Sequence, residues 1–305
     1  MTEMLKLGTR GSPLALVQAR LVAAALAAAH GWREDAVEIV TVVTTGDRVQ
    51  DRPLAEIGGK ALWTKELDAA LLDGRVDLAV HSMKDVETEL AAGVVLGPML
   101  PRADVRDRLI GATSIDALPH SARLGTSSPR RAAQLLALRP DLLVSMLRGN
   151  VATRLARVAN RDIDATLLAA AGLARLGHDV GTPIPIETML PAASQGAVGT
   201  TLRARDTATA ALLAAIDDAP TSQAVRLERD LLAALGADCH SPVAALATID
   251  GAMVHMRAEL LAPDGRERVC DSFAEPLDAA PAAVRALAAR LLAAASPDLA
   301  ARFNH

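Results

Sequence analysis

The chain has almost no aromatic residues: two Trp, two Phe and no Tyr among 305 residues. Its cores must therefore be filled by Leu, Val, Ile and a great deal of Ala, which favours helices packed closely on sheets. Cysteine is nearly absent too. Cys239 and Cys270 could pair only once, and no Cys/His spacing resembles a zinc site, so each reads as a free thiol, buried or reactive. Neither sign of charge dominates: 32 basic and 36 acidic residues leave a net charge of -4, with no five like charges in a row. This excludes the usual footprint of a nucleic-acid binder, and any anion recognised should be small. Arg or Asp interrupts the Ala/Leu stretches before they reach membrane-spanning length, and Met1 to Arg10 lacks the apolar core of a signal peptide. A cytoplasmic protein without a membrane or nucleic-acid partner is the expectation.

What is present is alternation. Short apolar runs at Leu5 to Gly8, Val37 to Thr44, Leu78 to Val80, Arg123 to Leu124, Leu142 to Leu147 and Ala165 to Ala169 predict strands. Helical stretches at Pro13 to Ala29, Lys60 to Leu72, Pro129 to Leu138 and Val151 to Asn160 lie between them, the pattern of parallel α/β units. Two strand-to-helix junctions share a design, Leu7-Gly8-Thr9-Arg10-Gly11-Ser12-Pro13 and Leu124-Gly125-Thr126-Ser127-Ser128-Pro129, each with Ser at the N-cap and Pro at the first helical position. A duplication and a repeated use of capping chemistry explain this equally well. After Thr200 come two helices, three alternating strands between Val243 and Phe273, and a helix at Ala282 to Ala294, a separate α+β module.

Of the 32 basic residues only four are lysine: Lys6, Lys60, Lys65 and Lys84. A compact ammonium differs chemically from a guanidinium, so Lys60 after Gly58-Gly59 and Lys84 in His81-Ser82-Met83-Lys84-Asp85 are candidate functional groups. Asp85 stands at the carboxyl end of a strand, where open α/β sheets place ligands. It could transfer protons, cap a helix or pair with Lys84. Arg130 and Arg131 open a helix behind Thr126, Ser127 and Ser128. Arginine opposes the helix dipole there, which points to a carboxylate or phosphate ligand. Arg10, Arg148, Arg154 and Arg175 repeat the theme at other strand exits, so a cleft for a small polyanion is expected. Cys239, in the loop Leu235-Gly236-Ala237-Asp238-Cys239-His240-Ser241-Pro242, could be a nucleophile or an inert thiol.

Taken in order, Thr9-Arg10-Gly11-Ser12-Pro13-Leu14-Ala15, Gly58-Gly59-Lys60, Lys65-Glu66-Leu67, His81-Ser82-Met83-Lys84-Asp85-Val86, Gly125-Thr126-Ser127-Ser128, Arg130-Arg131, Leu147-Arg148-Gly149-Asn150-Val151 and Gln195-Gly196-Ala197 resemble the porphobilinogen deaminase family. The resemblance spans nearly the whole chain. It implies an α/β fold of two periplasmic-binding-protein type II-like lobes, with mixed, mainly parallel sheets flanked by helices, facing one another across a cleft, plus a small C-terminal α+β domain. The implied bounds are 1–98 with 196–218 for the catalytic lobe, 99–195 for the anion-binding lobe and 219–305 for the cofactor-carrying domain.

It further implies a dipyrromethane cofactor bonded by a thioether to Cys239, porphobilinogen as substrate, and a monomer. Loss of ammonia from porphobilinogen leaves an electrophilic methylene-pyrrolenine, which a thiolate or a terminal pyrrole carbon can attack. Asp85 would then be the catalytic carboxylate. Lys84, Arg130, Arg131, Arg154 and Arg175 would hold cofactor and substrate carboxylates, assisted by Thr126, Ser127 and Ser128, while Arg10, Ser12, Arg148 and Gln195 complete the cleft. Lys60 and Trp63 fall in the segment resembling the family's active-site loop, where Trp63 replaces a common Phe and would act as a lid. The sequence departs from the family at Glu87 (usually Pro), Pro129 (commonly Leu), Ser194 (usually Gly) and Ala237-Asp238 (usually Gly-Gly). A non-enzymatic anion-binding protein of the same two-lobed form would explain the arginines but not Asp85 or Cys239. A Schiff-base lyase using Lys60 or Lys84 gives Cys239 no role.

Overall fold

The computed structural model describes residues 4–43, 64–238 and 240–303. Lys60, Trp63 and Cys239 lie outside them, as does the whole of segment 44–63. In chain order the strands are β1 (Leu5–Thr9), β2 (Val37–Thr41), β3 (Leu78–Ser82), β4 (Val94–Met99), β5 (Asp107–Ile110), β6 (Arg123–Gly125), β7 (Leu143–Ser145), β8 (Ala165–Ala169), β9 (Thr182–Pro183), β10 (Val198–Arg203), β11 (Val243–Asp250), β12 (Met253–Leu261) and β13 (Arg268–Pro276). The helices are α1 (Pro13–His30), α2 (Lys65–Leu72), α3 (Pro129–Leu138), α4 (Val151–Ala159), α5 (Ala170–Arg175), α6 (Thr207–Leu213), α7 (Ala219–Ala234), α8 (Ala280–Ala294) and α9 (Pro297–Ala300).

The chain divides into two compact units, Met1–Ala103 with Ala197–Ser222 and Asp104–Gly196 with Gln223–His305. The first unit holds a five-stranded sheet in the order β2-β1-β3-β10-β4. Strand β1 pairs in parallel with β2 and β3, while β10 runs antiparallel to both β3 and β4. Helix α1 begins as its sequence predicts: Ser12 Oγ accepts from Ala15 N at 3.3 Å, Pro13 follows, and Gly31 ends the helix in the left-handed region at φ 64°. Ala19, Val22 and Leu26 of α1 pack with Leu5, Leu7, Val37, Leu78 and Val80 of the sheet. Burying a Leu or Val fully is worth about 1.5–3 kcal/mol, so this face fixes the helix on the sheet. By length and composition α1 alone among the described residues could cross a membrane. Arg20 on its exposed side and the burial of Ala19, Val22 and Leu26 mark it as a core helix here.

The second unit has two sheets. One is five-stranded, β7-β6-β8-β5-β9, with β6 parallel to β7 and β8, and β5 antiparallel to β8 and β9. This is the layout of the first unit again: three parallel strands, then two added by antiparallel pairing. The two Ser-Pro junctions fall at matching places, after β1 and after β6, each the second strand of its sheet. The other sheet is the antiparallel meander β11-β12-β13, whose core is built from Leu231, Val254, Met256, Val284, Leu287 and Phe303.

The α/β class and the terminal α+β module thus agree with expectation, but the sheets are less parallel than a simple α/β reading gives. Two of the four pairings in each five-stranded sheet are antiparallel. Strands β4, β5, β9 and β10 had not been predicted. They are formed by segments such as Val105-Arg106-Asp107-Arg108 and Val198-Gly199-Thr200-Thr201, whose charges, glycines and threonines hide the strand pattern.

Candidate functional site

In the first unit the motif residues gather at the carboxyl edge of the parallel strands. Strand β3 ends at Ser82 and runs into a single 3-10 turn, Met83–Asp85. Three contacts hold this turn. Ser82 and Gln18 of α1 exchange hydrogen bonds, Gln18 Nε2 donating at 2.8 Å and Ser82 Oγ donating back to Oε1 at 3.1 Å. Met83 N donates to Ala197 O at 3.1 Å, and Val86 N donates to Met83 O at 3.2 Å. Met83 itself is wholly buried against Gly199 of β10, where an added Cβ would stand 2.4 Å from the Met83 sulfur. A side chain at 199 would therefore displace the turn.

The result is that Lys84 and Asp85 sit half-buried on a fixed turn. Among the described residues the Asp85 carboxylate has no hydrogen-bond or ion-pair partner, so it neither caps a helix nor pairs with Lys84. His81, by contrast, is buried and bonded to Thr201 Oγ1 at 2.9 Å, a satisfied strand-end histidine. Because β1 lies beside β3 with Leu7 opposite Leu78, Arg10 and Ser12 leave the same edge of the sheet as Lys84 and Asp85. Ser12 is occupied as the cap of α1.

In the second unit three loops meet at the equivalent edge of β7-β6-β8. Thr126 is buried, donates its N–H to Ser145 O at 2.9 Å and accepts from Ser128 N with Oγ1 at 3.1 Å. Ser128 caps α3, accepting from Arg131 N at 3.4 Å. Arg154 of α4 ties two loops together, donating from Nε to Gly149 O at 2.9 Å and from Nη2 to Ser127 Oγ at 3.2 Å. Arg148 is half-buried in the loop that Gly149 continues. Arg175, the last residue of α5, donates to Gly196 O at 2.8 Å.

The sequence casts Arg130 and Arg131 as cations for an external anion, but the fold supplies them with an internal one. Both are buried, and both turn onto one internal carboxylate, Asp107 of β5. Arg130 Nη2 meets Asp107 Oδ2 at 2.8 Å and Arg131 Nη2 meets Oδ1 at 2.7 Å. Gln195 Nε2 adds a third donor to Oδ1 at 2.9 Å and also bonds Val105 O at 2.7 Å. Burial by itself would push the Asp107 carboxyl up; the charges and hydrogen bonds of the two guanidiniums outweigh it and hold the pKa far below the ordinary carboxylate range. Asp107 escaped the sequence reading because Arg106-Asp107-Arg108 looks like solvated surface. The one usable signal is the apolar pair Leu109-Ile110 two residues further on.

The loop flanking Cys239 is also better defined than its sequence implied. Asp238 Oδ1 accepts from His240 N at 2.9 Å and from Ser241 Oγ at 3.1 Å, while Asp238 N donates to Ser241 Oγ at 3.0 Å. The extra acidic residue fastens the turn.

Two family descriptions match the sequence: the porphobilinogen deaminase dipyrromethane cofactor binding domain over residues 5–211, and the porphobilinogen deaminase C-terminal domain over 222–293. A porphobilinogen deaminase of Sphingopyxis alaskensis is 59% identical over 303 residues, covering 97% of this chain and 95% of that one. The chain belongs to the porphobilinogen deaminase family. A porphobilinogen deaminase of Paracoccus denitrificans is 49% identical, with 86% of this chain and 85% of the relative aligned. Among solved structures, the periplasmic VFT2 domain of Bordetella pertussis BvgS aligns with 70% of this chain and 86% of its own at 13% identity and a TM-score of 0.40.

Family membership brings a dipyrromethane cofactor, whose side chains are carboxylates, and the second unit can be tested for a fit to it. Two guanidiniums share one carboxylate at Asp107, leaving a surplus positive charge, and the buried Nε atoms of Arg130 and Arg131 have no hydrogen-bond partner among the described residues. Arg175 is half-buried, burial lowers its pKa, and no acidic residue among those described offsets that cost. Cations desolvated without full compensation are what an incoming carboxylate would relieve. The residues fit the porphobilinogen deaminase cofactor.

Proposed function

We propose that the chain deaminates four porphobilinogen molecules and condenses them head to tail on a dipyrromethane primer bonded through Cys239, then releases hydroxymethylbilane by hydrolysis. This is the hydroxymethylbilane synthase reaction of haem-type tetrapyrrole synthesis, carried out by a cytoplasmic monomer. The surplus of cationic groups at the β7-β6-β8 edge is the observation that carries the reading. The substrate bears acetate and propionate groups, so each added unit brings two more anions to that edge.

In this mechanism Arg131, Arg154, Arg175, Arg148 and Lys84 bind and orient carboxylates, Arg130 completes the buried cation pair, and Thr126, Ser127 and Ser128 donate hydrogen bonds. Arg10, Ser12 and Gln195 line the remainder, and Lys60 and Trp63 belong to a covering loop. When bound, the dipyrromethane supplies the terminal pyrrole carbon on which the chain grows. Asp85 is held on a fixed turn and its carboxylate has no partner among the described residues, which suits it to steady a cationic pyrrole nitrogen and to assist proton transfer as ammonia leaves. The division of labour follows three domains, 1–98 with 196–218, 99–195 and 219–305.

Intact-mass analysis tests this directly. The purified protein is expected to exceed the mass of its bare sequence by two linked pyrrole units, and Cys239→Ser to abolish the excess. A bare-chain mass for freshly purified, folded protein would overturn the proposal in favour of a simple anion-binding protein.

A further inference from the structure

The C-terminal meander is joined to helix α3 by buried polar groups that lead straight to the arginine pair. Gln134, one turn along α3 from Arg130, is 2% exposed. Its Oε1 accepts from Arg130 Nη1 at 2.8 Å, and its Nε2 donates to Glu259 Oε2 at 2.8 Å and to Leu190 O at 3.0 Å. Glu259, on β12 and 3% exposed, takes Arg268 of β13 on its other oxygen. Asp107, Arg130, Gln134, Glu259 and Arg268 thus form one continuous line of hydrogen bonds from β5 to β13. A primary amide suits the middle of this line, because its oxygen can face a cation while its N–H faces an anion. A carboxylate there would repel Glu259, and an apolar residue would leave two buried charges short of a partner.

A second observation places the same sheet on the same helix. Gly265, in the β12–β13 turn at φ +73°, lies on the α3 backbone: a Cβ would stand 2.4 Å from Ala137 N and 2.7 Å from Ala133 O. Backbone contact sets the distance of the hairpin from α3, and the polar line sets its register. Glu259 also sits opposite Ala244 on β11, two residues after the Asp238–Ser241 turn reaches Pro242. The pairing of Glu259 with Ala244 therefore lies close to where that turn passes into β11.

We infer that Gln134 and Glu259 are positioning residues that hold the C-terminal sheet, and with it the turn on either side of Cys239, in register with the arginines at the start of α3. The inference rests on the reading that Cys239 carries the dipyrromethane. Its test uses the full-length chain purified without cofactor from a host that makes no porphobilinogen, mixed with porphobilinogen while the two-pyrrole mass increment is followed in time. Gln134→Met, similar in volume but unable to bridge the charges, is expected to gain the increment about ten-fold more slowly than the parent at a temperature where both are folded. Leu287→Val, a core change on α8 away from the polar line, serves as the stability control and is expected to stay within about two-fold. Glu259→Gln, which keeps the shape and removes the charge, is expected to slow assembly about three-fold and gives the same test should Gln134→Met not fold. Gln134→Met or Glu259→Gln assembling as fast as the control would overturn the inference. An increment appearing in Cys239→Ser would instead overturn the tether reading, so the two failures are distinguishable.

Discussion

The two five-stranded sheets share a layout, but the antiparallel strand that joins the third parallel strand brings different side chains in each. In each, an antiparallel strand begins beside the carboxyl end of the third parallel strand: β10 beside β3, with Gly199 opposite His81, and β5 beside β8, with Asp107 opposite Ala169. In the first unit that strand contributes an absent side chain, and the space admits Met83, packed beneath the turn whose Asp85 carboxylate has no partner among the described residues. In the second it contributes a carboxylate that gathers two guanidiniums. In the proposed mechanism one edge keeps an acid available for protons and the other prearranges cations for anions. Two other aspartates sharpen the contrast. Asp68, buried on α2 with no cation beside it among the described residues, is pushed up to about 6 by burial, whereas Asp107 is pulled far down by its arginines. Burial alone does not set the charge of a carboxylate; the partners within reach decide it.

The largest effect is expected at the unpartnered acid. Asp85→Ala should lower porphobilinogen consumption by about a thousand-fold, within the range for a lost proton-transfer group, and leave the urea midpoint unchanged because no described residue bonds that carboxylate. A variant with normal turnover would break the comparison between the two edges. Next comes Asp107→Asn, expected to cost about 3–5 kcal/mol in urea denaturation at neutral pH, since two buried guanidiniums would lose the carboxylate they share. The folded pKa of Asp107 is depressed, so its contribution is full above the ordinary value of 3.8 and is lost as pH falls through the folded value. The difference between parent and variant should therefore vanish only in strong acid.

Asp68 carries the opposite sign. Its folded pKa of about 6 exceeds the ordinary 3.8, so the folded state holds the extra proton and stability falls as pH rises through that window. Asp68→Asn should gain on the order of 1 kcal/mol at pH 7 and nothing below about pH 4, as read from paired urea titrations. The smallest effect concerns Ser194, which adopts φ 64°, a left-handed conformation that favours Gly, and whose N–H donates to buried Glu228 at 2.5 Å. Ser194→Gly keeps that bond and removes left-handed strain, for an expected gain of about 0.5–1 kcal/mol in thermal unfolding. A loss there would mean that the serine side chain contributes something the backbone geometry does not reveal.

Much of the site was legible because local chemistry marks it. Ser12 and Ser128 announce helix starts, the Lys84-Asp85 pair stands at a strand end, and Arg154 follows a capped turn, all features settled within a few residues of chain. Asp107, Gln18, Gln134 and Glu259 were not legible. Gln18 and Ser82 are 64 residues apart, and Gln134 and Glu259 are 125 apart, so nothing near either residue hints at its partner. The strands β5 and β10 were missed for the same reason: antiparallel neighbours supplied by tertiary pairing, rather than apolar alternation of their own, make them strands.

By itself the sequence determined the class of fold, the helix caps, the cationic character of the strand exits and the family to which those motifs belong, because propensity, capping and charge act over short stretches of chain. Tertiary structure alone decided which arginines are spent on an internal carboxylate, which acid is left without a partner, and how the C-terminal sheet is registered on α3. Those outcomes depend on which groups are desolvated together, and desolvation is a property of the packed molecule.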